Sequence, residues 1–316
     1  MAKKANKTKN IILYLIAAVI IFSASISIFS DSSLMFWQDV FNYISPTKEV
    51  VAYSEEGREL AEEKMSVHII DVGKADSIYI NSGDKNILVD AGDIDTSNKV
   101  LEYLKKRDVK KLDLVVVSHP HKDHIGGMRD IINEIQIERF MMPEVPDDII
   151  PTGKTYESML LALDKNNIKV DKPICGDSFK IGDMELNILS PSKKYDKLNN
   201  NSIVIKLRYG NKSFLLTGDA EKEAENDIIK SGYDLKSDVL KVGHHGSKTS
   251  STQNFLNAVS PKYAAISVGE NNKNLPRYSV VSRIEQSNIT IFRTDINGDI
   301  VFVTDGNNID VKVEKE

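Results

Sequence analysis

Cysteine is nearly absent from this chain. Cys175 is alone among 316 residues, so no intrachain disulfide can form, and the sequence neither marks nor forbids an oxidising compartment. Positive charge is short as well. The net charge is −5, and with Lys3, Lys4, Lys7 and Lys9 (+4) set aside, residues 31–316 carry −9. An acidic body gives no help to diffuse nucleic-acid binding, which depends on Lys and Arg neutralising phosphates. Any phosphate substrate has to be held by metal and a few local bases. No internal repeat of fixed period is present. With 41% hydrophobic and 28% charged residues, the chain can bury a sizeable core as one large or two ordinary domains. Histidine is scarce, six in all, and five of the six fall in two short motifs.

Ile11 to Ser30 reads IILYLIAAVIIFSASISIFS, a run without charge behind the four lysines. About 20 apolar residues span a bilayer, and the positive-inside bias places residues 1–10 in the cytoplasm and the rest of the chain outside. A cleaved signal peptide, which would leave the protein secreted, is the competing reading. The run is longer than the usual 7–15-residue signal core, which favours an anchor. Residues 31–64, with Ser45-Pro46 and the run SEEGRELAEEK, read as a tether.

From Met65 the pattern becomes an α/β domain covering 65–316. Short strands are expected at Val67–Val72, Ser77–Ile80, Asn86–Gly92 and Leu112–Ser118. Helical spacing runs from Asn98 to Lys106 with Val100, Leu101 and Leu104 inward, and again through Ile125, Met128, Ile131, Ile132 and Ile135. A third helix is expected through Met159, Leu160 and Leu163. Gly182-Asp183 and Gly210-Asn211 turn hairpins, and Asn297-Gly298 reads as another. Strands alternating with helices point to helices packed over sheets.

The stretch Leu114-Val-Val-Val-Ser-His-Pro-His-Lys-Asp-His-Ile-Gly-Gly127 organises the domain. An apolar strand runs into His119, His121, Asp123 and His124. His119 and His121 are two apart and leave an extended segment on the same side, so they can clamp one ion. Asp123 and His124 open the next element, within reach of a second ion; two-metal hydrolytic centres space their ions roughly 3.5–4 Å apart. The strand ending at Asp219, and the strand leading through Val242-Gly243 into His244-His245, can bring aspartate and histidine to the same edge. His68 lies inside an alternating strand and reads as a core or sheet-face residue.

With these pieces placed, residues 65–316 resemble the metallo-β-lactamase superfamily, and within it the hydrolase-like C-terminal domain of ComEC-type competence proteins. The resemblance rests on IIDVGKADSIYI, LVDAG, SHPHKDHIGGM, NNNSIVIKL, LLTGDAE, LKVGHHGSKTSS, YAAISVGENN and RTDINGDI, in the family's order. It implies a four-layer αβ/βα sandwich. It also implies that His119, His121, Asp123 and His124 bind metal, that Asp219 bridges, and that one of His244 and His245 completes the set. His244 is preferred because Val-Gly-His mirrors Val-Ser-His at 117–119. Only one apolar span exists, so the chain is not itself a DNA pore. Where many relatives place a further histidine, this chain has Asn199, Asn200 and Asn201, and after Asn272 it reads Lys-Asn-Leu-Pro-Arg-Tyr.

The chemistry expected is hydrolysis of a phosphodiester, DNA among the candidates, with two divalent ions, zinc or manganese. Asp123 or Asp219 would orient the attacking water. Ser247 and Lys248, with Thr249 and Ser250, would meet a phosphate, or else form a polar turn capping the helix through Phe255 and Leu256. Asp71, Asp76 and Asp90 are expected to hold ligand imidazoles in one tautomer, with Asn201 beside the site. The alternatives are an envelope phosphodiesterase cutting a choline-phosphate or teichoic-acid link, and a non-catalytic binding module of a membrane DNA-uptake complex.

Overall fold

A computed structural model describes residues 64–270, 272 and 274–315. The expected span at 11–30 and nearly all of the 31–64 tether lie outside these residues. Among the described residues no helix is long and apolar enough to cross a membrane.

The chain forms β1 (Met65–Ile69), β2 (Ile78–Ser82), β3 (Lys85–Val89), β4 (Lys111–Leu112), β5 (Leu114–Val116), β6 (Gln136–Ile137), β7 (Phe140–Met141) and β8 (Val170–Asp171). It continues through β9 (Ser178–Ile181), β10 (Met184–Ser190), β11 (Val204–Tyr209), β12 (Lys212–Leu216), β13 (Val239–Lys241), β14 (Tyr263–Ile266) and β15 (Thr290–Arg293). β16 (Ile300–Thr304) and β17 (Ile309–Val313) close it. Two mixed sheets result, ordered β17-β16-β1-β2-β3-β5-β7-β8 and β15-β14-β13-β12-β11-β10-β9. β4 and β6 pair separately.

Side-chain alternation, period two in a strand, divides each sheet between two cores. Leu114 and Val116 join the core between the sheets, with Val67, Ile80, Ile205, Phe214 and Phe302. Val115 and Val117 face the other way, onto helices Ser97–Lys106, Met128–Glu134 and Lys154–Lys165 through Val100, Leu104, Ile131 and Met159. In the second sheet Leu215 and Leu240 meet Phe255, Leu256 and Ile284 of the helices on its outer face. Three apolar layers thus separate helix, sheet, sheet and helix.

The expected turns at Gly182 and Gly210 are present, both glycines at φ 57°. Gly210 has a second reason to lack a side chain: a Cβ there would stand 2.8 Å from the Cα of Gly306, where the β11/β12 turn meets the β16/β17 turn. Asn297-Gly298 is not a hairpin turn. β15 runs parallel to β14 in one sheet, while β16 pairs antiparallel with β1 and β17 in the other. Between them Thr294–Asn297 is a helical turn, Asn297 Oδ1 accepts from Arg293 N at 2.9 Å, and Gly298 at φ 62° redirects the chain. Leu160 also departs from expectation. It is 38% exposed, because the buried stripe of its helix is Met159, Ala162 and Leu163.

β5 runs parallel to β3 and β7, and β12, β13 and β14 run parallel to one another. The carboxyl ends of these strands carry the histidine and aspartate motifs, which is where open α/β sheets place their ligands.

Candidate metal centre

Gly218 brings the two sheets together at the site. It follows β12 with φ 48°, and a Cβ on it would stand 2.8 Å from Cβ of Ser118 and 3.1 Å from Oγ of Ser202. Only glycine lets the loop carrying Asp219 approach the loop carrying His119 this closely. Ser202 Oγ accepts the Asp219 backbone N–H at 3.0 Å, and the Ile203 N–H donates to Ser118 O at 2.8 Å.

Three overlapping groups of side chains can hold a metal ion, each with ligand atoms within 4.8 Å of one another: His119, His121 and Asp219; Asp123, His124 and His245; and Asp76, His124 and Asp219. Asp219 is shared. Its Oδ2 lies 3.9 Å from His119 Nε2, and its Oδ1 lies 3.5 Å from His124 Nε2 and 3.9 Å from His245 Nε2. His245 Nε2 is 3.8 Å from Asp123 Oδ2. Donors bound tetrahedrally at about 2.0–2.1 Å stand roughly 3.3 Å apart, so this spacing suits a common ion.

The unpaired atoms carry the same information. Asp76 Oδ1, His124 Nε2, Asp219 Oδ1 and His245 Nε2 are buried and make no hydrogen bond. An orphaned buried polar atom costs about 1–3 kcal/mol, and all four belong to residues of the second and third groups, which overlap at His124. The opposite ring nitrogens are engaged. His124 Nδ1 lies 2.8 Å from Asp90 Oδ2, and His245 Nδ1 lies 3.0 Å from Ser267 O. Both acceptors call for a proton on Nδ1, which leaves the Nε2 lone pair facing the cluster.

Electrostatics agree. Burial would depress the pKa of His124, but Asp219 and Asp90 outweigh it and raise it well above the usual imidazole value. The carboxylates thus favour positive charge at this point, which a proton or a cation can supply. Burial dominates at His119, followed by the charge of His124, and holds it well below the ordinary value. Asp219 stays far below the carboxylate range although burial opposes this, because His124 and His245 surround it.

His244 and His245 both have left-handed backbones, φ 51° and 53°. Two such residues in succession turn the side chains away from the path that Val-Ser-His follows at 117–119, and the preference for His244 fails for that reason. His245 enters the cluster. His244 stays at the rim, half-buried, with Nδ1 3.2 Å from Thr249 Oγ1 and 3.4 Å from Glu221 Oε1, and Nε2 3.9 Å from Asp219 Oδ2.

The metallo-beta-lactamase superfamily model matches residues 70–270. The chain belongs to this superfamily. It is 31% identical to ComE operon protein 3 of Bacillus subtilis over 75% of this chain and 32% of that one. It is 30% identical to Recombination protein 2 of Haemophilus influenzae over 77% and 29%, so it spans about a third of these relatives. The solved metallo-beta-lactamase fold protein YhfI from Bacillus subtilis superposes with TM-score 0.53 at 14% identity, covering 76% of this chain and all of that one.

Within this metallo-β-lactamase fold the remaining expected site residues separate. Asp90, itself at φ 60°, accepts from Ser118 N at 2.7 Å, from Ser118 Oγ at 2.6 Å and from His124. Asp71 holds no imidazole. Its carboxylate accepts from Gly73 N and faces Lys99, lining an open cleft of about 630 Å³ with Lys74, Thr96, Glu270 and Asn272, because the β1–β2 loop turns between Asp71 and Asp76. Asp76 stands behind His245, with Oδ1 3.9 Å from Nδ1, but the hydrogen bond to that nitrogen goes to Ser267 O, and Lys241 holds the other Asp76 oxygen. Asn201 is away from the ligands: its side chain bonds the backbone of Tyr195 and Lys197 and closes its own loop. Its neighbours do approach, with Asn199 Nδ2 3.3 Å from both Glu221 Oε1 and His244 Nδ1. Ser247 is half-buried and Lys248 exposed at the rim. The following helix is capped by Thr252, whose side chain accepts from Phe255 N.

Sequence reasoning missed Ser118, Ser202, Ser267, Glu221 and Lys241. For Lys241 a signal existed: a lysine between apolar residues in a strand buried on both faces must find an acid.

Proposed function

We propose that this domain is a metal-dependent phosphodiesterase holding two divalent ions, zinc or manganese, with DNA as the leading candidate substrate. We propose further that residues 11–30 anchor it in the cell membrane with the domain outside. The observation that carries the reading is the bifurcated placement of Asp219, one oxygen toward His119 and the other toward His124 and His245. His119 and His121 would hold one ion, and Asp123, His124 and His245 the other, with Asp219 common to both. Such ions acidify a bound water and polarise a phosphoryl oxygen.

The protein's own part is positional. Asp90 and the Ser267 carbonyl fix the imidazoles of His124 and His245. Asp123, the most exposed carboxylate of the cluster at 22%, is placed to orient water. Ser247 and Lys248 at the rim would supply a hydroxyl and a cation to a phosphate. The relative named Recombination protein 2 supports nucleic acid over other phosphodiesters.

The test is metal analysis of the full chain, followed by turnover of bis-p-nitrophenyl phosphate, single- and double-stranded DNA, RNA and choline-phosphate compounds with each ion. Two bound ions and cleavage of DNA are expected. Cleavage of choline-phosphate alone would indicate the envelope reaction, and absence of both metal and turnover would indicate a binding module. Asp219→Ala is expected to lose both ions and at least a thousandfold in turnover while its circular dichroism spectrum stays that of the wild type.

A further inference from the structure

Lys241 ends β13 between Leu240 and Val242, which are fully buried, and is itself 1% exposed. An ammonium in such surroundings costs several kcal/mol unless paired. Its carboxylate partner is Asp76, with Oδ2 2.9 Å from Nζ; Nζ also donates to Val242 O at 3.2 Å. The pair joins the two sheets, since Asp76 sits on the β1–β2 loop of the first and Lys241 on a central strand of the second. The two oxygens of Asp76 have different duties. Oδ2 is taken by the lysine, while Oδ1 is buried, accepts no hydrogen bond and lies 3.9 Å from His245 Nδ1; Asp76 itself belongs to the group with His124 and Asp219.

A buried ion pair is weak evidence for stability, because an apolar pair of the same volume serves as well or better. Its charge is what an apolar pair could not supply. We propose that Lys241 tunes the metal centre through Asp76: paired with that carboxylate beside the cation position formed by Asp76, His124 and Asp219, it offsets part of the carboxylate's charge and so sets how tightly the position holds its ion. This rests on the metal-centre reading above. A carboxylate facing a divalent ion strengthens binding, a fixed ammonium behind it weakens binding, and in a water-poor site both effects exceed their value in solution.

The experiment is zinc titration of the full chain against a chromophoric chelator, for wild type, Asp76→Asn, Lys241→Met, Lys241→Arg and the double variant Asp76→Asn with Lys241→Met. Asp76→Asn is expected to raise the Kd of one zinc at least tenfold, and Lys241→Met to lower it at least tenfold. The double variant and Lys241→Arg should stay within threefold of wild type, and the second zinc should be unmoved. A pair serving only as a staple between the sheets would lower Tm in the single variants and leave both zinc constants within threefold, which overturns the proposal. If Lys241→Met fails to fold, the double variant decides: failure to restore the affinity lost in Asp76→Asn overturns it. Wild-type protein that binds no zinc overturns the metal-centre reading and this inference together, whereas normal wild-type binding with unresponsive variants overturns the inference alone.

Discussion

His124 Nδ1 and Asp90 Oδ2 lie 2.8 Å apart with both side chains buried, and the same carboxylate takes the backbone N–H and the hydroxyl of Ser118, the residue before His119. One acid thus orients side chains that belong to different candidate metal-binding groups. Asp90→Asn, which keeps a side chain that tolerates the left-handed backbone, is expected to weaken zinc binding tenfold to a hundredfold, the usual effect of losing a partner behind a ligand. Chelator competition measures it; an unchanged affinity would remove Asp90 from the centre.

The two adjacent histidines should behave differently. His245→Asn is expected to cost one equivalent of metal per chain, and His244→Asn none. Asparagine is the replacement of choice because both positions have positive φ. The metal-to-protein ratio after dialysis checks this, and loss of metal from the His244 variant with retention in the His245 variant would reverse the assignment.

Gly126 closes the helical turn that carries Asp123 and His124. A Cβ there would fall 2.1 Å from the carbonyl carbon of Asp93 and 2.2 Å from the nitrogen of Ile94. Both are backbone atoms, which cannot rotate aside as a side chain can. Gly126→Ala should therefore cost about 3 kcal/mol or more, at or beyond the upper end for overpacking, read as a lower urea midpoint. Because Ala91 N donates to His124 O at 2.8 Å beside it, metal affinity should fall as well.

His68 gives the fold an acid sensitivity separate from the metal centre. Burial, followed by the nearby charge of Arg107, lowers its pKa to about 3, while its ring nitrogens meet Tyr103 Oη and Ser66 Oγ, each at 2.8 Å. The folded value lies below the unfolded 6.5, so the unfolded chain takes up the proton first as pH falls. The stability is intact above pH 6.5 and is lost progressively toward pH 3, about 2 kcal/mol of it between pH 7 and pH 5. His68→Gln should remove that part, seen as a smaller change in unfolding free energy between the two pH values than in the wild type.

The motif at 119–124 was legible because its ligands are consecutive in sequence and follow an apolar strand. What escaped depends on backbone turns or on distant partners. The handedness of His244 and His245 decides which imidazole enters the cluster, and no local pattern encodes it. Asp71 and Asp76 share one loop and look alike as residues, yet the turn between them sends one to Lys99 and the other to Lys241, 165 positions away. Asn297-Gly298 has the composition of a hairpin turn, but a hairpin also needs its two strands to pair, and here they join different sheets.

The close approach of Gly218 to Ser118 puts the cluster on the seam between the sheets. Neither half of the domain is a complete receptor: His119, His121, Asp123 and His124 come from one side, and Asp219 and His245 from the other. Prising the halves apart would discharge the ion even if every donor kept its local conformation. A loaded centre must in turn resist that separation, by an amount that grows with the free cation concentration.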